Sequence, residues 1–325
     1  MRRSGGGASL SVSTEGVTVH AAVLRYFVAV ARAGSIRQAS DELHVAASAV
    51  SRQIQKLELE LGEPVFHRLP SGLRLTHVGR LALAHAEATL KEFARLQGEV
   101  DALQGRRTGL VRIAALDSLV VRFLPDVLSR FHAVNPEVEF EVRTEGHVRV
   151  ANAVAMGDAD IGITFGLHHA EDLSFSFGVP MPIMAMVAAN HRLAAQREVT
   201  LTECAQYNLM LQFDTEPVRS MISAELSVFE RIGRVLLRTN NLMMVAPLIR
   251  SGVGIAFFTA LGFQDDLRSG AIRALRLKGS RLDGLQMGVL TSKRWPPTPA
   301  AAALTGYIGS SLQALSADLL AHVDQ

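Results

Sequence analysis

One short stretch of the chain carries side chains suited to hydrogen bonding along a single helix face. In the segment AASAVSRQIQKLELELG, the apolar residues that recur at helical spacing are Val50, Ile54, Leu57 and Leu61. The opposite face is small, polar and basic, and it carries Ser48, Ser51, Arg52, Gln55 and Lys56. Such a face fits the major groove of DNA, where the guanidinium fork of Arg52 matches the O6 and N7 acceptors of guanine. The alternative is a solvated helix surface, but such a surface usually carries Lys and Glu rather than serines.

The elements around this helix are predicted to hold it in a helix-turn-helix. A first helix from about His20 to Ala33 stops at Gly34, and Ser35 then opens a second helix as its N-cap, with Gln38 completing a capping-box pattern. The helix-turn-helix spans about 36–55. Short strands at Val65–Phe66 and Leu73–Leu75 surround Pro70-Ser71-Gly72 and predict a wing that carries Arg68 and Arg74 towards backbone phosphates.

These residues resemble the DNA-binding domain of LysR-type transcriptional regulators. The matching motifs are LRYFVAVARAGSI, AVSRQIQKLE, ELGEPVFHR and GLRLTHVGR, which lie within the first hundred residues. The family often begins its third helix with Ser-Gln-Pro or Ser-Gln-Ser, whereas this chain has Ala46, Ala47 and Ser48. We therefore expect no hydroxyl cap there, at a cost on the order of 1 kcal/mol. The predicted DNA contacts are Arg37, Gln38, Ser48, Ser51, Arg52, Gln55, Lys56, Arg68 and Arg74.

A long helix from about His77 to Gln104 follows the wing. Its apolar positions alternate in steps of four and three, as in a coiled-coil seam, and they are Ala82, Ala86, Thr89, Phe93, Leu96, Val100 and Leu103. A helix packed on its own domain would be the alternative. We interpret residues 77–105 as a dimerising linker helix, which the resemblance also implies, because a two-fold dimer reads a two-fold DNA site.

Composition and charge place the chain among globular proteins. It has 325 residues, 48% hydrophobic and 20% charged, with a formal net charge of +2. The basic excess lies in the first third of the chain, beside the polar helix face. The single Cys204 gives neither a disulfide nor a metal-ligand spacing. Residues 1–18 are predicted to be a disordered tail rather than a signal peptide, and Val179–Ala189 is too short to span a membrane, so we expect a cytoplasmic protein.

Beyond the hinge at 105–109, strands and helices alternate. The first part is predicted as a parallel βαβαβ unit, with strands Leu110–Leu116, Val138–Thr144 and Asp160–Phe165 and helices Leu119–Ala133 and Val148–Met156. Further strands are predicted at Pro182–Ala189, Leu209–Phe213, Val235–Thr239, Ile255–Thr259, Ala271–Leu277 and Gln286–Thr291. Further helices are predicted at Pro217–Phe229, Leu242–Ser251 and Pro299–His322.

The family resemblance implies what this α/β part does. It implies an effector domain, residues 109–325, with the two-lobed fold of periplasmic binding proteins. The first lobe would comprise about 109–180 and 286–325, and the second about 181–285. In such folds a ligand lies at the carboxyl ends of the strands. The predicted effector contacts are Ser118, His147, Phe165, Gln212, Asp214, Thr215 and Thr259.

No catalytic constellation, metal site or cofactor is predicted. There is no G-x-S-x-G motif, and His168-His169 reads as an exposed loop rather than a metal site. The sequence therefore favours a fold with an N-terminal all-α winged helix-turn-helix and linker helix (19–76 and 77–105), plus the two-lobed α/β effector domain. The predicted partners are double-stranded DNA, a small-molecule effector, other copies of the chain in a homodimer or homotetramer, and RNA polymerase. Two alternatives stay open, a solute-binding module whose winged helix contacts proteins, and an enzyme that uses the interlobe crevice.

Overall fold

The computed structural model describes residues 18–70, 72–167, 171–211, 234–239 and 241–323. The chain divides into two compact units, residues 1–96 and 97–325, and the division falls within one long helix. Several predicted features lie outside the described residues: the tail up to residue 17, the pair His168-His169, the effector contacts Gln212, Asp214 and Thr215, and the helix Pro217–Phe229.

The first unit is a winged helix-turn-helix. Its elements are α1 (Thr18–Ala33), α2 (Ile36–Glu42), α3 (Ala47–Leu61), β1 (Phe66–Leu69), β2 (Gly72–Leu75) and α4 (His77–Leu103), the last of which continues into the second unit. The apolar stripes predicted for the helices meet in one core, where Phe27, Val30, Ala39, Val50 and Val65 are fully buried. The predicted winged fold is confirmed. The first wing strand begins at Phe66 rather than Val65.

The second unit contains two sheets, each with its own helices. We call the part built on the sheet of order β4-β3-β5-β13-β6 the first lobe. Its elements are β3 (Gly109–Ala115), α5 (Asp117–Val120), α6 (Phe123–Val134), β4 (Val138–Thr144), α7 (His147–Met156), β5 (Ile161–Phe165), β6 (Leu173–Pro180), β13 (Gln286–Ser292) and α11 (Pro299–Val323). Helix α7 covers one face of this sheet, and α6 and α11 cover the other, so the central strands β5 and β13 are largely buried on both sides, whereas edge strand β4 is mostly exposed.

The second lobe is built on the sheet of order β10-β9-β11-β7-β12-β8. Its elements are β7 (Met184–Ala188), β8 (Glu198–Val199), α8 (Leu201–Cys204), β9 (Asn208–Leu211), β10 (Arg234–Arg238), α9 (Leu242–Arg250), β11 (Ile255–Phe258), α10 (Gln264–Arg268) and β12 (Ile272–Leu277). Three short 3-10 helices join them, at Arg192–Ala195, Ala260–Phe263 and Arg281–Gly284. The two-lobed α/β class predicted from the resemblance is confirmed.

The helix predicted at Leu119–Ala133 is wrong as a single element. The structure has α5 and α6 there, and Arg122 between them has a non-helical backbone (φ −139, ψ −50). Pro125 explains the break, because a proline inside a continuous helix would clash with the carbonyl of the residue four positions earlier. Restarting the helix at Phe123 puts Pro125 in the first turn, where a missing N–H costs nothing.

The parallel βαβαβ unit predicted for the first sheet is confirmed, but the complete sheet is mixed. Strands β3, β4 and β5 do pair in parallel, but β13 pairs antiparallel with both β5 and β6. Strand β6 was not predicted. Its sequence LSFSFGVP does alternate apolar residues with small ones, but Gly178 and Pro180 belong to residue types that are depleted in strands. Two chain crossings join the lobes, since β6 leads into β7 through residues 181–183 and β12 returns to β13.

Candidate functional site

Helix α3 presents the polar face that its sequence predicts. Val50 and Ile54 are buried, whereas Ser48, Arg52, Gln55 and Lys56 are exposed and Ser51 is half-buried. Lys56 also lies 3.8 Å from the carboxylate of Glu60, one helical turn on. One expectation fails, because Leu61 was placed on the buried stripe and is 44% exposed at the helix end.

The start of α3 has no side-chain cap, as expected. Ala46 occupies the N-cap position in an extended conformation and makes no side-chain cap hydrogen bond. Its carbonyl accepts the backbone N–H groups of Ala49 and Val50, at 2.9 and 3.3 Å. By contrast, the hydroxyl of Ser35 caps α2 by accepting the Gln38 N–H. The helix expected to approach DNA therefore begins with fewer satisfied donors than its neighbour.

The wing is docked directly on the turn before α2. The Leu73 N–H donates to the carbonyl of Gly34 at 2.8 Å, and β1 and β2 pair antiparallel around this contact. Gly72 has a φ of +122, and a Cβ added there would lie 2.8 Å from the Gly34 oxygen. Only glycine fits this close approach, so the wing has a fixed place beside the helix-turn-helix.

Basic side chains gather around the wing. A groove on β1, β2 and the start of α4 is lined by His67, Arg68, Leu69, Arg74, Leu75 and Arg80. Arg68 also lines a smaller groove that contains Ser51 and Gln55 of α3. The wing is thus continuous with the polar face of α3. Sequence reasoning did not select His67 and Arg80, although Arg80 ends the matching motif GLRLTHVGR.

These arginines are available for an external anion. Arg37, Arg52, Arg68 and Arg74 are exposed, and none of the four makes an ion pair with any residue in the described ranges. Gln38 is exposed beside Arg37 at the start of α2. In the same unit Arg32 is already paired with Glu87, at 3.1 Å. Unpaired arginines on one surface are what phosphate contacts require.

The second candidate site lies between the two lobes, at the carboxyl ends of strands from both sheets. Ser118 follows β3 in the first turn of α5 and is 6% exposed, and Thr259 follows β11 and is 4% exposed. Phe258, beside Thr259, pairs with Met184, just after the chain has crossed from the first lobe. Helix α5 packs against the 3-10 helix that Thr259 begins. The fold therefore brings these two predicted residues to the junction between the lobes, which we call the interlobe crevice.

Asp117, which sequence reasoning did not select, joins the lobes in this crevice. Its carboxylate accepts the backbone N–H of Leu242, the first residue of α9 in the second lobe. Burial raises the pKa of Asp117, and the hydrogen bonds from the Ser118 and Leu242 N–H groups oppose that rise. Arg122 forms a second link between the lobes through its ion pair with Asp265. No pattern in the sequence marks Asp117. Its partner, the Leu242 N–H, is 125 positions away, and it is a backbone group that no residue type identifies.

The other predicted effector contacts divide into two groups. His147 and Phe165 are buried in the first lobe, and the His147 Nδ1 lies 2.7 Å from the Thr164 hydroxyl. Gln212, Asp214 and Thr215 lie outside the described residues. The structure thus brings Ser118 and Thr259 to the crevice, and gives His147 a hydrogen-bond partner inside its own lobe.

Other chemistry has little support in the part of the chain that the structure describes. No group of three or more His, Cys, Asp and Glu side chains there could hold a metal ion. Cys204 is buried, and burial raises the pKa of its thiol to about 12, so the thiolate that reacts or binds metal is suppressed. No helix within the described ranges is long and apolar enough to cross a membrane.

Two family models match this chain, and together they cover most of it. The family model described as "LysR substrate binding domain" matches residues 104–313, and "Bacterial regulatory helix-turn-helix protein, lysR family" matches residues 22–80. The "Transcriptional dual regulator GltC" of Bacillus subtilis (strain 168) is 29% identical over 243 residues, which cover 74% of this chain and 81% of that protein. The "Probable RuBisCO transcriptional regulator" of Emiliania huxleyi is 21% identical over 291 residues, covering 85% and 90%.

Solved structures are similar over nearly the whole chain. A full-length OxyR variant from Pseudomonas aeruginosa has a TM-score of 0.66 at 19% identity, and the match covers 90% of this chain and 97% of that one. Full-length CbnR complexed with its target DNA has a TM-score of 0.58 at 20% identity, covering 90% and 99%. At these identities the likeness establishes the fold.

Proposed function

Because this chain belongs to the LysR family of transcriptional regulators, we propose that α3 and the wing make its operator contacts and that the interlobe crevice holds its effector. The family consists of regulators rather than enzymes, and the chain has both the helix-turn-helix and the substrate-binding domain that define it. What the family leaves open is which residues read DNA and which sense the effector.

The observation that carries the DNA proposal is a single polar and basic surface formed by the exposed face of α3 and the wing. Arg52 and Gln55 would reach base edges, since a helix in the major groove can place such side chains against guanine and adenine. Arg68, Arg74 and Arg80 would contact backbone phosphates and fix the register of the helix. One of the solved structures of similar fold is described as a complex with target DNA, which supports a DNA-binding role for this chain.

The oligomer proposal rests on the apolar seam of α4. Leu96, Val100 and Leu103 are 51%, 46% and 88% exposed in the single chain. An exposed apolar seam with coiled-coil spacing is best buried by the same helix of a second chain. Family members bind DNA as oligomers, and a two-fold pair would present two α3 helices to a two-fold operator. Since its target is chromosomal DNA, we place the protein in the cytoplasm.

The regulatory proposal is a population shift controlled from the crevice. Asp117 and Leu242, with Arg122 and Asp265, already join the lobes there, so a ligand at this place changes which interlobe arrangement is favoured. An effector acts only as far as it binds one arrangement better than the other. The result would be altered half-site spacing or DNA bending by the linked helices.

A genome-wide footprint of the full-length protein tests the DNA proposal. Wild type should protect discrete sites, and Arg52→Ala should relax base preference at one position, at a cost of about 1–3 kcal/mol for the cognate base. Arg250→Ala, in the second lobe and paired with Asp266 at 2.7 Å, is the matched control and should keep the wild-type footprint. An unchanged base preference in Arg52→Ala would contradict the proposal that the polar face of α3 contacts the bases.

A further inference from the structure

Two polar atoms in the interlobe crevice are buried and have no hydrogen-bond partner. They are Oδ2 of Asp117, in the first lobe, and Oγ1 of Thr259, in the second. Thr259 starts a 3-10 helix but makes no side-chain cap bond, although a hydroxyl there usually would. Buried polar atoms are nearly always satisfied, so a pair of exceptions on facing lobes marks a place where an external group completes the bonding.

The nearby helix start has no donors left for an anion. Helix N-termini commonly bind anions, and α9 points its first residues at this crevice. Here the Leu242 N–H is taken by Asp117, the Met243 N–H by Asn241 Oδ1 at 3.0 Å, and the Met244 N–H by the Asn241 carbonyl at 3.2 Å. The carboxylate of Asp117 therefore occupies the position where an anionic ligand would otherwise bind.

Among the described residues, the cations nearest to Asp117 along the chain are paired with other carboxylates. Arg112 pairs with Glu141, and Arg122 lies 3.7 Å from Asp126 and also pairs with Asp265. Burial raises the pKa of Asp117, because a carboxylate that is withdrawn from water is less favourable in its charged form. A second carboxylate in the crevice would add repulsion, whereas a cationic donor would relieve it.

We propose that the effector of this regulator carries a protonated amine that binds Oδ2 of Asp117, and that Thr259 bonds a neighbouring polar group of the same molecule. Such a ligand touches both lobes, so it stabilises the arrangement in which Asp117 and Thr259 face it. Acidic effectors without an amine are disfavoured at this place. The inference rests on the proposed function, because it names the chemical class of that function's effector.

Matched probes of opposite charge test the ligand class on the full-length protein. The pairs are benzylamine and benzoate, butylamine and butyrate, and 1,4-diaminobutane and succinate, each measured by thermal shift and by calorimetric titration. Wild type should be stabilised by amines and less by the matched carboxylates. Asp117→Asn should weaken amine binding on the order of tenfold or more, since a bond to a charged group is lost. Thr259→Val should weaken binding of a matched amino alcohol, 4-aminobutanol, more than binding of butylamine.

Glu141→Gln is the charge-matched control, because Glu141 lies on edge strand β4 and pairs with Arg143 at 2.6 Å. It should keep the amine preference of wild type. Three results would overturn the proposal: carboxylates preferred by wild type, an amine preference unchanged in Asp117→Asn, or no stabilisation of wild type by any amine of the set. A mobility shift of unliganded wild type with genomic fragments is run in parallel. Loss of DNA binding there would count against the proposed function and leave the amine preference standing.

Discussion

The carboxylate of Asp117 in the first lobe accepts a hydrogen bond from the backbone N–H of Leu242, which begins a helix in the second lobe. This contact joins two segments that are far apart in the chain and belong to different sheets. Together with the Arg122–Asp265 ion pair, it links the relative position of the lobes to titratable side chains.

Asp117→Asn should raise the thermal stability of the unliganded protein at neutral pH. Burial raises the pKa of Asp117 in the folded state, so the folded protein holds this proton more tightly than the unfolded chain does. Protonated Asp117 makes its whole contribution to the free energy of unfolding at pH values below the unfolded pKa. That contribution is lost as pH rises through the folded pKa. The advantage of Asn, followed by thermal unfolding, should therefore grow as pH rises from the unfolded pKa of Asp117 through its raised folded pKa.

Glu141→Gln should show the opposite sign in the same experiment. Arg143 lowers the pKa of Glu141, so its stabilising effect is present above the unfolded pKa and is lost as pH falls through the folded pKa. The change should be small, because this pair is exposed to solvent. An advantage of Asn at position 117 that does not depend on pH would argue against an uncompensated charge there.

Gly72→Ala should displace the wing. The added Cβ would lie 2.8 Å from the Gly34 oxygen at a backbone φ of +122, which together should cost about 1–3 kcal/mol and weaken DNA binding. Gly62→Ala is the control, since it has a φ of +73 but no atom within 4 Å of the added Cβ. It should lose about 1 kcal/mol and keep its DNA affinity. Equal DNA affinities of the two variants would refute the docking role of Gly72.

Arg74→Ala and Arg80→Ala should each flatten the salt dependence of DNA binding. Both side chains line the basic groove of the wing, and each lost phosphate contact reduces the slope of log K against log salt by about one unit. Affinity should fall evenly across operator and unrelated sequences. The measurement is fluorescence anisotropy over a salt series, and Arg250→Ala should leave the slope unchanged. A wild-type slope in both variants would place the wing away from DNA.

Ala46→Ser should stabilise the start of α3. A serine hydroxyl at this extended N-cap position can accept one of the orphan backbone N–H groups, for a gain of about 0.5–1 kcal/mol. Ala47→Ser is the matched control, because position 47 is already helical and cannot cap. Hydrogen exchange of the first turn should slow only in Ala46→Ser. Equal protection in both variants would show that capping does not limit this turn.

Leu96→Glu should dissociate the oligomer. The side chain is 51% exposed in the single chain and lies on the apolar seam of α4, so a charge there would be buried at the proposed helix pair. Light scattering after size exclusion should report a smaller species. Gln97→Glu changes an exposed neighbour off the seam and should keep the wild-type mass. An unchanged mass in Leu96→Glu would show that the oligomer interface does not include this part of α4.

The sequence by itself determined the elements whose signals are local. The helix-turn-helix was predicted from local features: the helical spacing of Val50 and Ile54, the stop at Gly34 and the cap at Ser35. Such features suffice because helix faces and ends depend on residues only a few positions apart. The matching motifs then identified the family, and the absent cap at Ala46 followed from the same local comparison.

Tertiary structure alone decided the features that depend on distant partners. Strand β6 pairs with β13 more than a hundred residues on, so no residue near it in the chain identifies its neighbour in the sheet. The hydrogen-bond partner of His147, a predicted effector contact, also comes from the fold, since its Nδ1 lies 2.7 Å from the Thr164 hydroxyl. Asp117 gained its place in the site from the Leu242 backbone N–H, a group that every residue except proline carries. Side-chain type and spacing predict what a residue can do, but only the fold brings its partner within hydrogen-bonding distance.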